Sequence, residues 1–458
     1  MLTAGVAAGH PATCEAGLEI LREGGSAADA AVAAALASCV AETIMTGLLG
    51  GGHGLYLDAG SGRARNLDCF VAVPSGDAAP MVDLTVPFGA ELVHYAVGAA
   101  SCGVPGVAAG LDALWREHGT LPWPRLVEPA LRLAREGVVL PAAHAACLAM
   151  LRSVYTLDRG AAIYAPGGEL LQTGDRLEQP GLVEALRLVA DEGASTAYTG
   201  SLADALVALC EERGGGVTHD DLAGYEAVWS EPVEIGFRGT RFLTREGLSE
   251  VPRTLGRLAP LDGTDETGRV LGLVAALADA EDADGHTTNL VTVDRAGSVC
   301  VLTTSLGLGS GDYLPGLDLQ LNSMLGETEL LLGPLEPGAR MASMMAPSIA
   351  VGGDGPVLAL GSAGGSRLRT AVVGVADGIL RERLEPQQAV DRPRFHPIGR
   401  TLHAEPGVDA AALGQLRADG WDVRVWPGRH HYFGGVSLVA AAGAAADPRR
   451  GGAAATLP

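Results

Sequence analysis

The segment from Gly285 to Ser305 constrains the chain more narrowly than any other. An acidic, small-residue run from Asp279 to Asp284 stops at Gly285. A strand-like stretch then opens on Thr287-Thr288, alternates apolar and polar through Val293, and turns at Asp294 to Gly297. A second strand-like run, Ser298 to Ser305, ends in three hydroxyls: Thr303, Thr304 and Ser305. Two strands joined by a tight turn place Ser305 beside Thr287. A threonine hydroxyl is a poor nucleophile unless a base takes its proton, and a threonine at a chain N-terminus carries that base as its own α-amine. Cutting the His286–Thr287 bond would create such a residue. Standing alone, a Thr-Thr pair is also an ordinary edge-strand feature.

At 458 residues the chain is long enough for one large domain or two to three ordinary ones. Hydrophobic residues make up 47% and aromatics only 4%, so the core must be aliphatic and alanine-rich. A formal net charge of −22 repels nucleic acid and anionic membranes, so neither is expected as a partner. The seven cysteines (Cys14, Cys39, Cys69, Cys102, Cys147, Cys210, Cys300) form no CxxC pair. Neither a disulfide framework nor a zinc site is indicated, and buried thiols are expected. No basic segment precedes an apolar one at the start, and the apolar run near Ala30 to Val40 is too short to span a bilayer; a cytoplasmic location is the expectation.

Glu15 to Glu23 reads as an amphipathic helix ended by Gly24-Gly25, and Ser26 as the cap of a second helix, Ala27 to Val40. The loop Thr46 to Gly54 is glycine-rich and precedes a strand, Leu55 to Asp58. No GK[ST] follows and no helix comes next, so the phosphate-binding templates fail and close backbone packing explains the glycines better. Pro129 to Arg135 has helical periodicity and would cover a sheet. Thr218 caps a short helix with Asp221 three positions on, which makes His219 an exposed loop residue. In Gly361-Ser362-Ala363-Gly364-Gly365-Ser366-Arg367, two consecutive glycines let two backbone N–H groups point at one oxygen, as an oxyanion hole requires. A strand-to-helix turn, with Arg369 to Ile379 as the helix, satisfies the same residues, and the helix N-terminus adds partial positive charge there.

Several further stretches complete a pattern: Asn66-Leu67-Asp68-Cys69-Phe70-Val71-Ala72-Val73-Pro74, Gly309-Ser310-Gly311, Leu319 to Glu327, Arg340-Met341-Ala342-Ser343-Met344-Met345-Ala346-Pro347-Ser348, Asp391-Arg392-Pro393-Arg394-Phe395-His396 and Asp447-Pro448-Arg449. With Thr287-Thr288 and the Gly364-Gly365 pair, they resemble the gamma-glutamyltransferases, N-terminal-nucleophile hydrolases that cleave themselves before such a Thr-Thr. The resemblance covers nearly the whole chain. It implies an α+β fold in a four-layer αββα sandwich, formed by residues 1–286 and 287–458 as two intertwined subunits that stay associated after cleavage.

The resemblance also implies roles. Thr287 is the nucleophile, Ser305 orients it, and Gly364 and Gly365 hold the oxyanion. Asn322 and Glu327 grip the substrate α-amine. Phe70, Ser343 and Met344 stand where the substrate carboxylate is held. Thr303, Arg394 and Arg449 are structural residues that support maturation. The substrate is a small-molecule amide, resolved by water or an amine acceptor, with no metal and no organic cofactor. Three positions depart from the pattern: Phe70 replaces an arginine, Met344 a serine, and Gly307 an asparagine. A phenyl ring cannot form arginine's bidentate pair with a carboxylate. Two other readings therefore stand beside a γ-glutamyl enzyme: an acylase of a different amide, and an uncleaved relative that only binds a ligand or partner. The stretch from Thr244 to Glu266 is shorter than its counterpart in that family.

Overall fold

The computed structural model describes residues 2–88, 91–278 and 287–458. The acidic run Asp279 to Asp284 and His286 lie outside them. Two antiparallel sheets dominate. The first has seven strands in the order Ala453–Thr456, Gly5–Ala8, Thr288–Val293, Val299–Ser305, Gly51–Leu57, Ala64–Cys69, Val228–Ser230. The second has six, in the order Gly443–Ala446, Gly435–Ala440, Gly355–Ala363, Ser348–Gly352, Thr240–Thr244, Val233–Phe237. Each sheet contains strands from both sides of position 287.

Period-two alternation decides the layering, because each strand is apolar on both faces. Along Thr288–Val293 and Val299–Ser305, Val291, Val293, Val299 and Val301 pack between the sheets against Leu243, Ile349, Ala359 and Val439. Their neighbours Leu290, Cys300 and Leu302 face the other way, onto a helical layer that includes Ala27–Ala41. In the second sheet Leu358, Leu360, Val436 and Leu438 face outward onto the helix Arg367–Leu380. Helix, sheet, sheet, helix is the only order that buries all four faces, which is the αββα sandwich.

The helix Ala27–Ala41 is buried along its whole length. Its alanines leave little side-chain bulk, so neighbouring elements can close on every side. Ser26 and Asp29 form a reciprocal capping box at its start, which fixes where it begins. The helix Pro11–Arg22 precedes it, capped by His10. All seven cysteines are buried and unpaired.

Boundaries differ from the sequence reading: the helix expected from Glu15 begins at Pro11, and the helix expected from Arg369 begins at Arg367. The strand expected from Leu55 begins at Gly51, so much of the glycine-rich stretch lies inside the sheet. A Cβ on Gly52 would come 2.6 Å from the Thr303 carbonyl oxygen, and one on Gly50 would come 2.1 Å from that of Ser305. The glycines let this segment close against the end of the strand that carries Ser305.

Candidate active site

The hairpin register positions the central pair. Thr288 pairs with Thr304, Asn289 with Thr303 and Leu290 with Leu302. Carrying that register back one residue sets Thr287 opposite Ser305. The Ser305 hydroxyl oxygen accepts a hydrogen bond from the Gly307 N–H at 2.9 Å. Gly307 itself has φ +70°, and a Cβ there would lie 2.4 Å from Glu327 Oε1. Only glycine fits a left-handed turn pressed so closely against a carboxylate. Replacement of the expected asparagine therefore follows from the geometry of this turn.

Thr287 and Ser305 open onto a cavity of about 350 Å³, counting its mouth. Phe70, Glu327, Ser343, Met344 and Gly365 share its wall with them, together with Met324, Leu330, Met345 and Leu368. Residues scattered over three hundred positions thus meet around one threonine. Among the described residues its lining contains one carboxylate and no lysine, arginine or histidine.

The double glycine stands at the rim. The strand Gly355–Ala363 leaves the sheet at its last pair, Ala363 with Gly435. Gly364 and Gly365 then take φ of +125° and +56°, and the helix Arg367–Leu380 follows. A side chain on Gly364 would meet the Gly434 backbone at 2.8 Å. The expected strand-to-helix turn is present, and its second glycine, Gly365, lines the cavity with Thr287.

Phe70 is buried at the end of the strand Ala64–Cys69, and its ring stacks on His53 with centroids 5.4 Å apart. Its carbonyl accepts from Tyr225 Oη at 2.6 Å and from Arg340 Nη1 at 2.9 Å, while its N–H donates to Asp68 Oδ1. Burial pushes the His53 pKa well below its ordinary value, and the nearby Arg245 and Arg340 push it the same way, so the stacked ring is neutral. Arg245 donates to the carbonyls of Ser343 (3.1 Å) and Met345 (2.9 Å). Two arginines therefore approach the pocket wall from behind, and both bind main-chain carbonyls of the segments that form it.

Not every expected contact is present. Asn322 is completely buried and does not line the cavity. Its amide donates to Leu49 O at 2.9 Å and Gly103 O at 2.8 Å, and its Oδ1 accepts from Gly103 N at 2.9 Å. With its hydrogen-bonding capacity committed to backbone, it secures the turn that carries Glu327, and the reading of Asn322 as a substrate contact is corrected. Thr303 donates to Asn289 Oδ1 at 2.7 Å within the sheet. Arg394 pairs with Asp447, and Arg449 bridges Glu405 and Asp447, in a fully buried network.

Sequence reasoning missed Glu42. Its carboxylate accepts from Thr13 Oγ1 at 2.6 Å and Thr288 Oγ1 at 2.5 Å. Burial pushes its pKa up to about 7, against the lowering effect of the two hydroxyls. A single acidic residue directly after fifteen buried residues of an alanine-rich helix was the available signal. Such a residue is either surface-capping or buried with partners, and only the packing decides between them.

A family model described as Gamma-glutamyltranspeptidase matches residues 13–271 and 266–457 of this chain. Glutathione hydrolase proenzyme 1 of Schizosaccharomyces pombe is 27% identical, over 86% of this chain and 74% of its own. An Acylase ACY 1 proenzyme from a Pseudomonas sp. is 28% identical, over 91% of this chain and 87% of its own. The crystal structure of a cephalosporin acylase from Bacillus halodurans superposes with a TM-score of 0.83, at 22% identity, over 100% of this chain and 96% of that one.

Proposed function

The chain belongs to the gamma-glutamyltranspeptidase family, a family of self-processing N-terminal-nucleophile amidohydrolases, and we propose that Thr287 is its nucleophile and that its donor is an amide without a free α-carboxylate. The observation that carries this reading is the composition of the cavity. Thr287, Ser305 and Gly365 line it together with Phe70 and Met344, which stand where the family resemblance expects polar groups, and Glu327 is the sole charged lining side chain among the described residues.

Maturation and turnover use the same atoms. In the precursor, Thr287 Oγ attacks the carbonyl carbon of residue 286. The Thr287 nitrogen leaves as an amine, and water hydrolyses the resulting ester to give fragments 1–286 and 287–458. In turnover the freed α-amine accepts the proton from Oγ as Oγ attacks the donor amide. The negative charge that develops on the carbonyl oxygen is held by the N–H groups of Gly364 and Gly365. Such donors are typically worth about 3–4 kcal/mol each in the barrier. Collapse expels the donor's amine, which receives the proton. Water or a second amine then releases the acyl group from Thr287.

Substrate choice follows from charge. A γ-glutamyl donor presents a carboxylate, and among the described residues the only charged side chain on the lining is another carboxylate, Glu327. Losing a bidentate charge-assisted contact in a desolvated site costs about 2–5 kcal/mol, roughly 30- to 5000-fold in kcat/KM. Apolar contact with Phe70, Met324, Leu330 and Met344 favours a neutral or amine-bearing acyl group instead. Relatives named as acylases accord with this second reading of the family resemblance. Denaturing electrophoresis with N-terminal sequencing, followed by kinetics on γ-glutamyl-p-nitroanilide beside a panel of neutral acyl anilides, tests both parts. A small fragment beginning Thr-Thr-Asn and a preference for neutral anilides are expected. An intact chain after long incubation at neutral pH would favour the ligand-binding relative, and efficient γ-glutamyl turnover would overturn the donor assignment.

A further inference from the structure

Self-cleavage needs a base that turnover does not. In the uncut chain the Thr287 nitrogen belongs to an amide, so it cannot take the Oγ proton as the free α-amine does afterwards. Besides the donor cavity, Thr287 lines a second, smaller one, with room for about one water. Glu42, Thr288, Asn289, His144, Asp447 and Arg450 share its wall. A water there has partners waiting. Asn289 Nδ2 is buried and meets no acceptor among the described residues. His144 Nδ1 is likewise buried without a partner there. The His144 ring donates to the Arg450 main chain, so in the neutral ring Nδ1 carries the lone pair. One donor and one acceptor can thus hold a water, leaving it one hydrogen and one lone pair.

Glu42 can take that hydrogen. The hydroxyls of Thr13 and Thr288 each fill one acceptor position on its carboxylate, which has about four. Burial pushes its pKa up to about 7, so near neutral pH the carboxylate is both present and basic. The other titratable or charged groups around it among the described residues are Cys39, His10, His144, Asp447 and Arg450. Burial pushes the Cys39 thiol up to about 12, and holds His10 down at about 4 and His144 at about 3. Asp447 stays low, against its burial, because Arg394 and Arg449 pair with it. Arg450 keeps its charge, as a guanidinium does in a protein. Around neutral pH, Glu42 is the member of this group that titrates.

We propose that Glu42 is the general base of self-cleavage, acting on Thr287 Oγ through one water held in this cavity. The inference rests on the reading of Thr287 as the nucleophile. The water takes the Oγ proton and passes one of its own to the Glu42 carboxylate as Oγ bonds to the carbonyl carbon of residue 286. The bond from that carbon to the Thr287 nitrogen then breaks. The proton on Glu42 returns through the water to that nitrogen, which leaves as the amine. An ester on Thr287 Oγ and an ionised Glu42 remain, with no proton gained or lost. A second water hydrolyses the ester, and the freed α-amine serves as the base from then on.

Cleavage of the freshly synthesised full chain, followed by denaturing electrophoresis from pH 5.5 to 8.5, gives a readout that needs no variant. The native rate constant should rise by about tenfold per pH unit below pH 7 and level off above it. Glu42→Gln should cleave more slowly by about 100-fold or more and lose this step. Its urea midpoint at pH 8 should not fall below the native one, which separates a lost base from a lost fold. Glu42→Asp keeps a carboxylate at shorter reach and should recover part of the rate and the step. Native-rate cleavage by Glu42→Gln, or a native profile flat through pH 7, would overturn the assignment and leave Thr287 as the nucleophile. A native chain that is never cut would overturn the nucleophile reading, and this assignment with it.

Discussion

The hydroxyl of Thr288 donates to the Glu42 carboxylate at 2.5 Å, joining the end of the alanine-rich helix to the strand that starts beside the nucleophile. A Cβ on Gly9 would fall 2.3 Å from Glu42 Oε2 and 2.6 Å from Thr288 Oγ1, so the chain is packed tightly around this contact. The second threonine of the Thr-Thr pair is an anchor for the first.

Glu42 should make stability depend on pH. Its pKa is raised to about 7 by burial, so the folded chain holds a proton that the unfolded chain loses near the ordinary glutamate value of 4.5. The stabilisation from that proton is full below the lower value, declines by about 1.4 kcal/mol per pH unit between the two, and is gone above the higher one. Glu42→Gln, shaped like the neutral acid, should flatten this decline and be more stable than the native protein above pH 7. Denaturant midpoints across pH 4.5 to 8 check it; parallel curves for native and variant would exclude Glu42 as the source.

Thr287→Ala should abolish both processing and turnover, since it deletes the one group proposed to do both, and Thr287→Ser should retain a fraction of each. Thr288→Ala should process and turn over far better than Thr287→Ala. Its cost should appear in stability, about 1–3 kcal/mol, because it strips one donor from a buried carboxylate. N-terminal sequencing and urea unfolding separate the two effects. A processed Thr287→Ala protein would show that the attacking residue lies elsewhere.

Phe70→Arg should raise activity on γ-glutamyl-p-nitroanilide relative to a neutral acyl anilide. The new guanidinium would face Glu327 across the cavity, and a donor carboxylate could then be held between charges of opposite sign. Arg245 and Arg340 already hold the carbonyls of Ser343, Met345 and Phe70 in that wall, so a third cation there should also cost stability. A ratio of kcat/KM values unchanged from native would indicate that Phe70 does not meet the donor.

Asn322→Ala should lower stability and leave the KM ratio between donors unchanged. It would strand the buried carbonyls of Leu49 and Gly103 and the Gly103 N–H, a loss of about 1–3 kcal/mol for each unsatisfied group. A large KM effect with no change in unfolding midpoint would restore Asn322 as a substrate contact.

Much of the fold was legible because its signals are local. Alternation of Leu290, Val291 and Val293, the turn at Asp294 to Gly297, and the Ser26-Asp29 box each lie within a few residues of what they determine. The hairpin register, and with it the meeting of Thr287 and Ser305, needs nothing beyond that turn. The glycine pair at 364–365 was legible for the same reason: a positive-φ turn before a helix restricts its own residue types.

What only the tertiary structure decided is which polar group meets which. The sequence alone determined that Thr287, Ser305, Phe70, Ser343, Met344 and the double glycine were the positions to watch. It did not show that Asn322 is spent on backbone 219 positions away, nor that Glu42 answers Thr288 across 246. It gave no sign that two nitrogens of Arg450 have no hydrogen-bond partner among the described residues while Arg449 beside it pairs with two carboxylates. A side chain's hydrogen-bonding capacity is written in its chemistry, but the partner that uses it comes from whatever the packed layers bring within about 3 Å. Burial then converts that partnership, or its lack, into charge state and energy.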